Sequence, residues 1–295
     1  MTAADVLQRH RDAGTSAFVP FITAGDPSLD ATHILARALS EAGSGIIELG
    51  VPFSDPVADG VTNQRAAERA LRAGATLHGV LDIVRRLRHD GVATPIVLFT
   101  YLNPVHRMGY AAFAAAAAAS GVNGTLIVDL PPEEAGEYCR AMRAHSIETV
   151  FMVSPTTADD RIRSIDSAST GFVYCAARTG VTGRRSDLEP ELVESLRRWR
   201  QVFSKPLVVG FGISTPAQAR RLSGVADGIV VGSALVDLIA EAKDVDEAAD
   251  RVRATARGFV AACEERMRKV DARHRASAED TPGGLLTRAA NSPGS

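Results

Sequence analysis

The run Gly45-Ile46-Ile47-Glu48-Leu49, followed by Gly50-Val51-Pro52-Phe53-Ser54-Asp55-Pro56-Val57-Ala58-Asp59-Gly60, reads as a short buried strand that empties into a loop bounded by glycine and proline. In a strand of period two, Ile46 and Glu48 point one way and Ile47 and Leu49 the other, so the carboxylate travels with apolar neighbours. A buried carboxylate is costly unless it is paired, hydrogen-bonded or held protonated. Glu48 is therefore a candidate acid or base, weighed against a structural carboxylate held by backbone donors.

Seven further runs share this character: Phe18 to Ile22, Pro95 to Thr100, Thr125 to Asp129, Thr149 to Val153, Gly171 to Cys175, Pro206 to Val209 and Gly228 to Val231. Between them lie segments of helical period rich in Ala, Leu, Arg and Glu, among them Asp30 to Ala42, Leu77 to Arg88, Pro132 to His145, Glu189 to Gln201 and Thr215 to Leu222. Eight strand-helix repeats predict an α/β chain folded as a closed (β/α)8 TIM barrel with extra short helices. An open doubly wound sheet is disfavoured, because no Gly-x-Gly-x-x-Gly follows the first strand. Ser214-Thr215-Pro216 supplies a cap and a first-turn proline, marking a strand-to-helix crossing.

The 295 residues, 45% hydrophobic and 23% charged, suit one barrel of about 250 residues plus a tail. The expected division is a single catalytic domain over 1–270 and a flexible tail over 271–295, where Ala, Ser, Thr, Pro and Gly dominate. A net charge of -2 gives no basic field for a nucleic-acid backbone. Cys139, Cys175 and Cys263 lack ligand spacing, and no charged stretch followed by an apolar core opens the chain, so a cytoplasmic protein is expected. The alanine run Ala111 to Ala119 falls well short of the roughly 20 residues of a membrane span and reads as a packed helix.

Three glycine-bearing turns follow the late strands: Thr179 to Gly183, Gly210 to Ser214, and Gly232-Ser233-Ala234. In a barrel they converge, and the last opens a helical segment, Ala234 to Glu241, whose N-terminal N–H groups suit a phosphate. Lys205, Lys243 and Lys269 are the only lysines, none of them at the catalytic end of a strand, which disfavours a Schiff base. The seven histidines show no ligand spacing, so no metal is expected; His106 reads as a solvated loop residue. What remains is carboxylate acid-base work on a phosphorylated substrate. Glu48 lies deep in the mouth and Asp59, beside Gly60, is the better base on the loop, with Asp55 a loop hydrogen-bonding residue. Phe21, Phe99, Tyr101 and Phe211 stand near strand ends, where they either line an apolar pocket or pack the core, and Tyr174 shares a face with Phe172. An isomerase of a phosphosugar using Glu48 as proton shuttle, and a barrel kept as an allosteric partner, stay open as alternatives.

Phe18-Val19-Pro20-Phe21-Ile22-Thr23-Ala24-Gly25-Asp26-Pro27, Glu48 to Pro56, Ala58-Asp59-Gly60, Gly180-Val181-Thr182-Gly183 and Gly210 to Ser214 together resemble the tryptophan synthase alpha chain family over about residues 5 to 268. The resemblance implies a lyase that cleaves indole-3-glycerol phosphate to indole and D-glyceraldehyde 3-phosphate in tryptophan biosynthesis. It implies Glu48 as the deep acid-base group, Asp59 as the loop base, Tyr174 close to substrate, and Asp129 as the residue that positions the catalytic loop. Gly183, Gly212, Gly232 and Ser233 would meet the phosphate through backbone. The resemblance further implies no cofactor in this chain, and a partner beta chain that carries pyridoxal phosphate in an α2β2 heterotetramer. Pro56 and Pro104 are candidate interface residues. Val61 and Asn63 depart from the family pattern, which has Pro and an apolar residue at these places, and Ala176-Ala177-Arg178 lacks its usual Ser.

Overall fold

The computed structural model describes residues 1–176, 190–210 and 212–265. The strands are β1 (Ala17–Thr23), β2 (Ile47–Gly50), β3 (Ile96–Thr100), β4 (Gly124–Ile127), β5 (Glu148–Val153), β6 (Val173–Ala176), β7 (Leu207–Gly210) and β8 (Gly228–Val231). All neighbours pair in parallel, and β8 returns to β1, which closes an eight-stranded barrel. The helices of the first half are α1 (Ala3–Ala13), α2 (Leu29–Glu41), α3 (Val61–Arg72), α4 (Leu77–His89), α5 (Leu102–Met108) and α6 (Tyr110–Ser120). Those of the second half are α7 (Gly136–Ala144), α8 (Asp159–Ala168), α9 (Pro190–Val202), α10 (Pro216–Leu222), α11 (Ser233–Glu241) and α12 (Val245–Glu264). The expected tail over 271–295 lies outside the described residues.

Strict alternation divides the buried side chains into two layers. Val19, Phe21, Ile46, Val97, Phe99, Leu126, Val150, Phe172, Tyr174, Val208 and Val230 fill the barrel interior. Their chain neighbours, including Phe18, Ile47, Leu49, Leu98, Val173, Val209 and Ile229, pack outward beneath the helices. The alternation expected of Ile46 and Glu48 therefore holds, and it aims the carboxylate at the barrel axis.

The amino-terminal end of the barrel is plugged by α1. Ala3, Val6 and Leu7 join the interior cluster, and the Ala3 and Ala4 N–H groups donate to the Glu148 carboxylate at 2.9 and 3.0 Å. On the same end, the fully buried Asp227 accepts from the Leu207 N–H at 2.8 Å and faces Arg11 at 3.4 Å and Arg200 at 3.1 Å. Polar closure at this end leaves the opposite end, with its loops, for chemistry.

Several boundaries depart from expectation, each for a local reason. The segment beginning at Pro132 makes turns first, with Glu134 and Ala135 donating to the Pro131 and Pro132 carbonyls, so α7 starts at Gly136. Strand β4 ends at Ile127, which places Asp129 in the turn beyond it. His106 lies in α5 rather than in a loop, although it is exposed as expected. Thr215 caps α10 through a capping box with Gln218, with Pro216 in the first turn, as the sequence indicates.

Candidate active site

Glu48 is the second residue of β2, in register with Phe21 of β1 and Val97 of β3. It is wholly buried, and neither carboxylate oxygen has a hydrogen-bond partner. Desolvation alone pushes its pKa from 4.5 up to about 8, so the group is held as the neutral acid. Inward-facing rings of the same interior meet one another: Phe21 and Phe99 edge to face at 5.4 Å, and Phe99 and Tyr174 at 6.4 Å.

Two glycines make that arrangement possible. A Cβ on Gly50 would stand 2.6 Å from Phe21 Cζ, and one on Gly210 would stand 2.0 Å from the Tyr174 hydroxyl oxygen. Both rings therefore lie across strand ends where no side chain fits. Tyr174 is buried, and desolvation, the largest cause, raises the pKa of its hydroxyl well above the ordinary value.

Asp59 sits in the turn just before α3 and is buried. Its Oδ2 accepts from the Tyr101 hydroxyl at 2.9 Å, while that hydroxyl accepts from the Ala58 N–H at 3.1 Å. Burial raises its pKa, and hydrogen bonds from Tyr101 and Asn63 oppose the rise. Phe53 stacks on Tyr101 at 5.2 Å, which fixes the ring that fixes Asp59. Asp55, by contrast, is exposed; its carboxylate accepts from its neighbour Ser54 at 2.6 Å and its carbonyl from the Val57 N–H at 2.9 Å.

A cleft is lined by Phe21, Phe53, Phe99, Tyr101, Asp59 and Asn63 among others; Glu48 and Tyr174 are not among its lining residues. Tyr101, expected from sequence as a pocket aromatic, is thus also the partner of Asp59. No sequence signal linked the two, because the bond spans 42 residues and joins different loops. Asp129 is exposed and accepts from the Leu102 N–H at 2.7 Å, so it anchors the start of α5 directly behind Tyr101.

Gly232 caps α11, and the Leu235 and Val236 N–H groups donate to its carbonyl, so the helix opens at Ser233 on the catalytic end of β8. A Cβ on Gly232 would come within 3.2 Å of Phe21, which makes this glycine the joint between the ring-lined half and the helix-lined half of the mouth. Gly212 adopts φ +87°, a conformation that only glycine takes without strain. Thr62, at the start of α3, donates to Asp237 of α11 at 3.1 Å, tying the segment after Asp59 to this helix. The expectations for the turn Thr179 to Gly183, and for Phe211, fall outside the described residues. Among the described residues no cluster of three or more His, Cys, Asp or Glu could hold a metal ion, and no helix is long and apolar enough to cross a membrane.

The family model described as tryptophan synthase alpha chain matches residues 7–264. A tryptophan synthase alpha chain of Geobacter sulfurreducens is 51% identical over 222 residues, covering 75% of this chain and 84% of the relative. One from Thioalkalivibrio sulfidiphilus is 48% identical, with 82% and 91% of the two chains covered. The solved alpha subunit of Legionella pneumophila superposes with a TM-score of 0.82 at 35% identity, over 90% of this chain and 99% of that one. A Pyrococcus furiosus chain, from a study of mutual activation of the tryptophan synthase α2β2 complex, gives 0.78 at 41% identity, over 84% and 98%. A match of this extent, on a closed eight-stranded parallel barrel, places the chain in the tryptophan synthase alpha chain family.

Proposed function

We propose that Glu48 and Asp59 are the acid and the base with which this chain cleaves indole-3-glycerol phosphate to indole and D-glyceraldehyde 3-phosphate. The reaction is that of the tryptophan synthase alpha chain family. The observation that carries the residue assignment is the contrast between two carboxylates at one mouth. Glu48 is unpartnered and held neutral by burial, whereas Asp59 is oriented by Tyr101 at the cleft wall. Pairs of titratable groups in such different surroundings divide acid and base roles.

Glu48 delivers its proton to indole C3, which turns the ring into an electron-poor indoleninium. Asp59 accepts the hydrogen bond of N1–H and stabilises the positive charge there. The Glu48 carboxylate then takes the proton from the adjacent side-chain hydroxyl. That oxygen becomes the aldehyde carbonyl, the carbon-carbon bond breaks, and its electron pair returns to the ring as indole. Phe21, Phe99 and Tyr101 sandwich the ring, with Tyr174 beneath them beside Glu48. Backbone of Gly183, Gly212, Gly232 and Ser233 takes the phosphate, at the N-terminus of α11, without a cationic clamp; Phe211 lies alongside.

The chain works with a tryptophan synthase beta chain in an α2β2 assembly, as the complexes of similar chains do. We assign pyridoxal phosphate to that beta chain, no cofactor to this one, and the cytoplasm as the compartment. Pro56 and Pro104 stand on the rim that faces the partner. Glu48→Gln and Asp59→Asn should each lose roughly 10²-fold or more in turnover with circular dichroism and melting unchanged in form. Near-parental indole release by both variants would remove the assignment.

A further inference from the structure

Asn63 carries a polar atom that the acid-base pair does not use. It is the third residue of α3 and lines the cleft, and its Oδ1 is buried with no hydrogen-bond partner. The remaining walls are mostly apolar, with Thr23, Asp59 and Tyr101 as the other polar groups. The orientation of the amide is fixed by chemistry. An ionised carboxylate only accepts, so the Asn63 side that reaches Asp59 is its NH2, and the oxygen must face away from it. A buried amide oxygen without a donor is a standing cost, relieved only when something in the cleft brings one. Asp59 already takes the N1–H of the substrate ring, which leaves Asn63 for a second donor on the same ring.

We propose that Asn63 is a specificity-determining residue whose Oδ1 receives a hydrogen-bond donor on the six-membered ring of the ligand, so that the cleft takes indoles bearing a hydroxyl or amino group there in preference to the bare ring, while its NH2 positions Asp59. The inference rests on the reading of this cleft as the indole site. Two consequences separate it from a packing role. Replacing Asn63 by an apolar residue of similar size removes an acceptor from the cleft, so the preference between hydroxylated and bare ring must change. It also removes a hydrogen bond that favours the ionised form of Asp59, so the acidic limb of the pH profile must move up. The groups that face Asp59 are Tyr101 from the start of α5 and Tyr174 from β6, with Glu48 and Asp129 acting on those two hydroxyls. None is altered by the substitution.

The test is calorimetric titration of the full chain with indole and with the positional hydroxyindoles of its six-membered ring, using the parent, Asn63→Leu and Asn63→Val. At least one hydroxyindole should bind the parent on the order of tenfold tighter than indole, and both variants should lose that preference. In both variants kcat/KM for indole-3-glycerol phosphate should keep its bell shape, with the acidic limb at higher pH. The inference is overturned if no hydroxyindole outbinds indole in the parent, if the preference survives in a folded variant, or if the acidic limb stays in place. Failure of the parent to release indole from indole-3-glycerol phosphate would instead overturn the functional reading, leaving the binding comparison to stand by itself.

Discussion

At the scale of the residue, Glu48 ties stability to acidity. Its folded pKa, about 8, lies above its ordinary 4.5, so the folded protein holds a proton that the unfolded chain has released between these values. Folding stability from this group is therefore complete below the lower value and is lost as pH rises through the upper one. Glu48→Gln cannot ionise and should stabilise the fold by several kcal/mol at about pH 8 while changing little at about pH 4.5. Urea denaturation of the two proteins at both pH values measures the difference, and equal stabilisation at both would show that the carboxyl is not neutral in the fold. Asp59 gives the complementary expectation. Its oxygen receives the Tyr101 hydroxyl, so Tyr101→Phe should raise the acidic limb of kcat/KM and lower turnover by roughly tenfold or more.

At the scale of the element, the ends of β1 and β2 are fitted to each other through a missing side chain. Gly50→Ala would place a methyl 2.6 Å from Phe21 Cζ, and the ring sits on the strand floor where it cannot yield without meeting Phe99. The expected cost is about 1–3 kcal/mol, shrinking in a Phe21→Leu background; a thermal double-mutant cycle with no coupling would refute the contact. These ends also show what sequence can and cannot convey. The strands were legible because residues such as Ile46, Ile47 and Leu49 alternate between two buried layers, and β8 has the bounds the sequence assigns. Glu48 was legible because a charge in such a run has few bland explanations. The Tyr101 to Asp59 bond was not, since it depends on how two loops from different repeats meet. Nor was α1, which precedes the first strand-helix repeat and is held by Glu148, far along the sequence. Helix α3, which begins directly after the loop that ends at Gly60, was not among the helical segments named from the sequence.

At the scale of the whole molecule, the two ends of the barrel divide stability from chemistry. Arg200→Met would leave the fully buried Asp227 carboxylate with Arg11 alone and should cost about 2–4 kcal/mol after allowance for the part-exposed guanidinium. Turnover per folded molecule should be unaffected, because this pair lies across the barrel from Glu48 and Asp59; a fall in kcat would show that the ends are mechanically linked. At the other end, mixing the chain with its matching beta chain should raise indole-3-glycerol phosphate cleavage, read as indole released, and an unchanged rate together with no association by sedimentation would contradict the partnership. The plug at the closed end also has a consequence for the order of events at the ribosome. The N–H groups that open α1 find their acceptor only in Glu148, 145 and 144 residues later. At about 5–20 residues per second, a nascent chain spends roughly 7 to 29 seconds with its first helix made and its acceptor not yet synthesised. An eleven-residue helix is marginal in isolation, so α1, which is made before every strand of the barrel, is among the last elements to settle, and closure of that end must wait on the second half of the barrel.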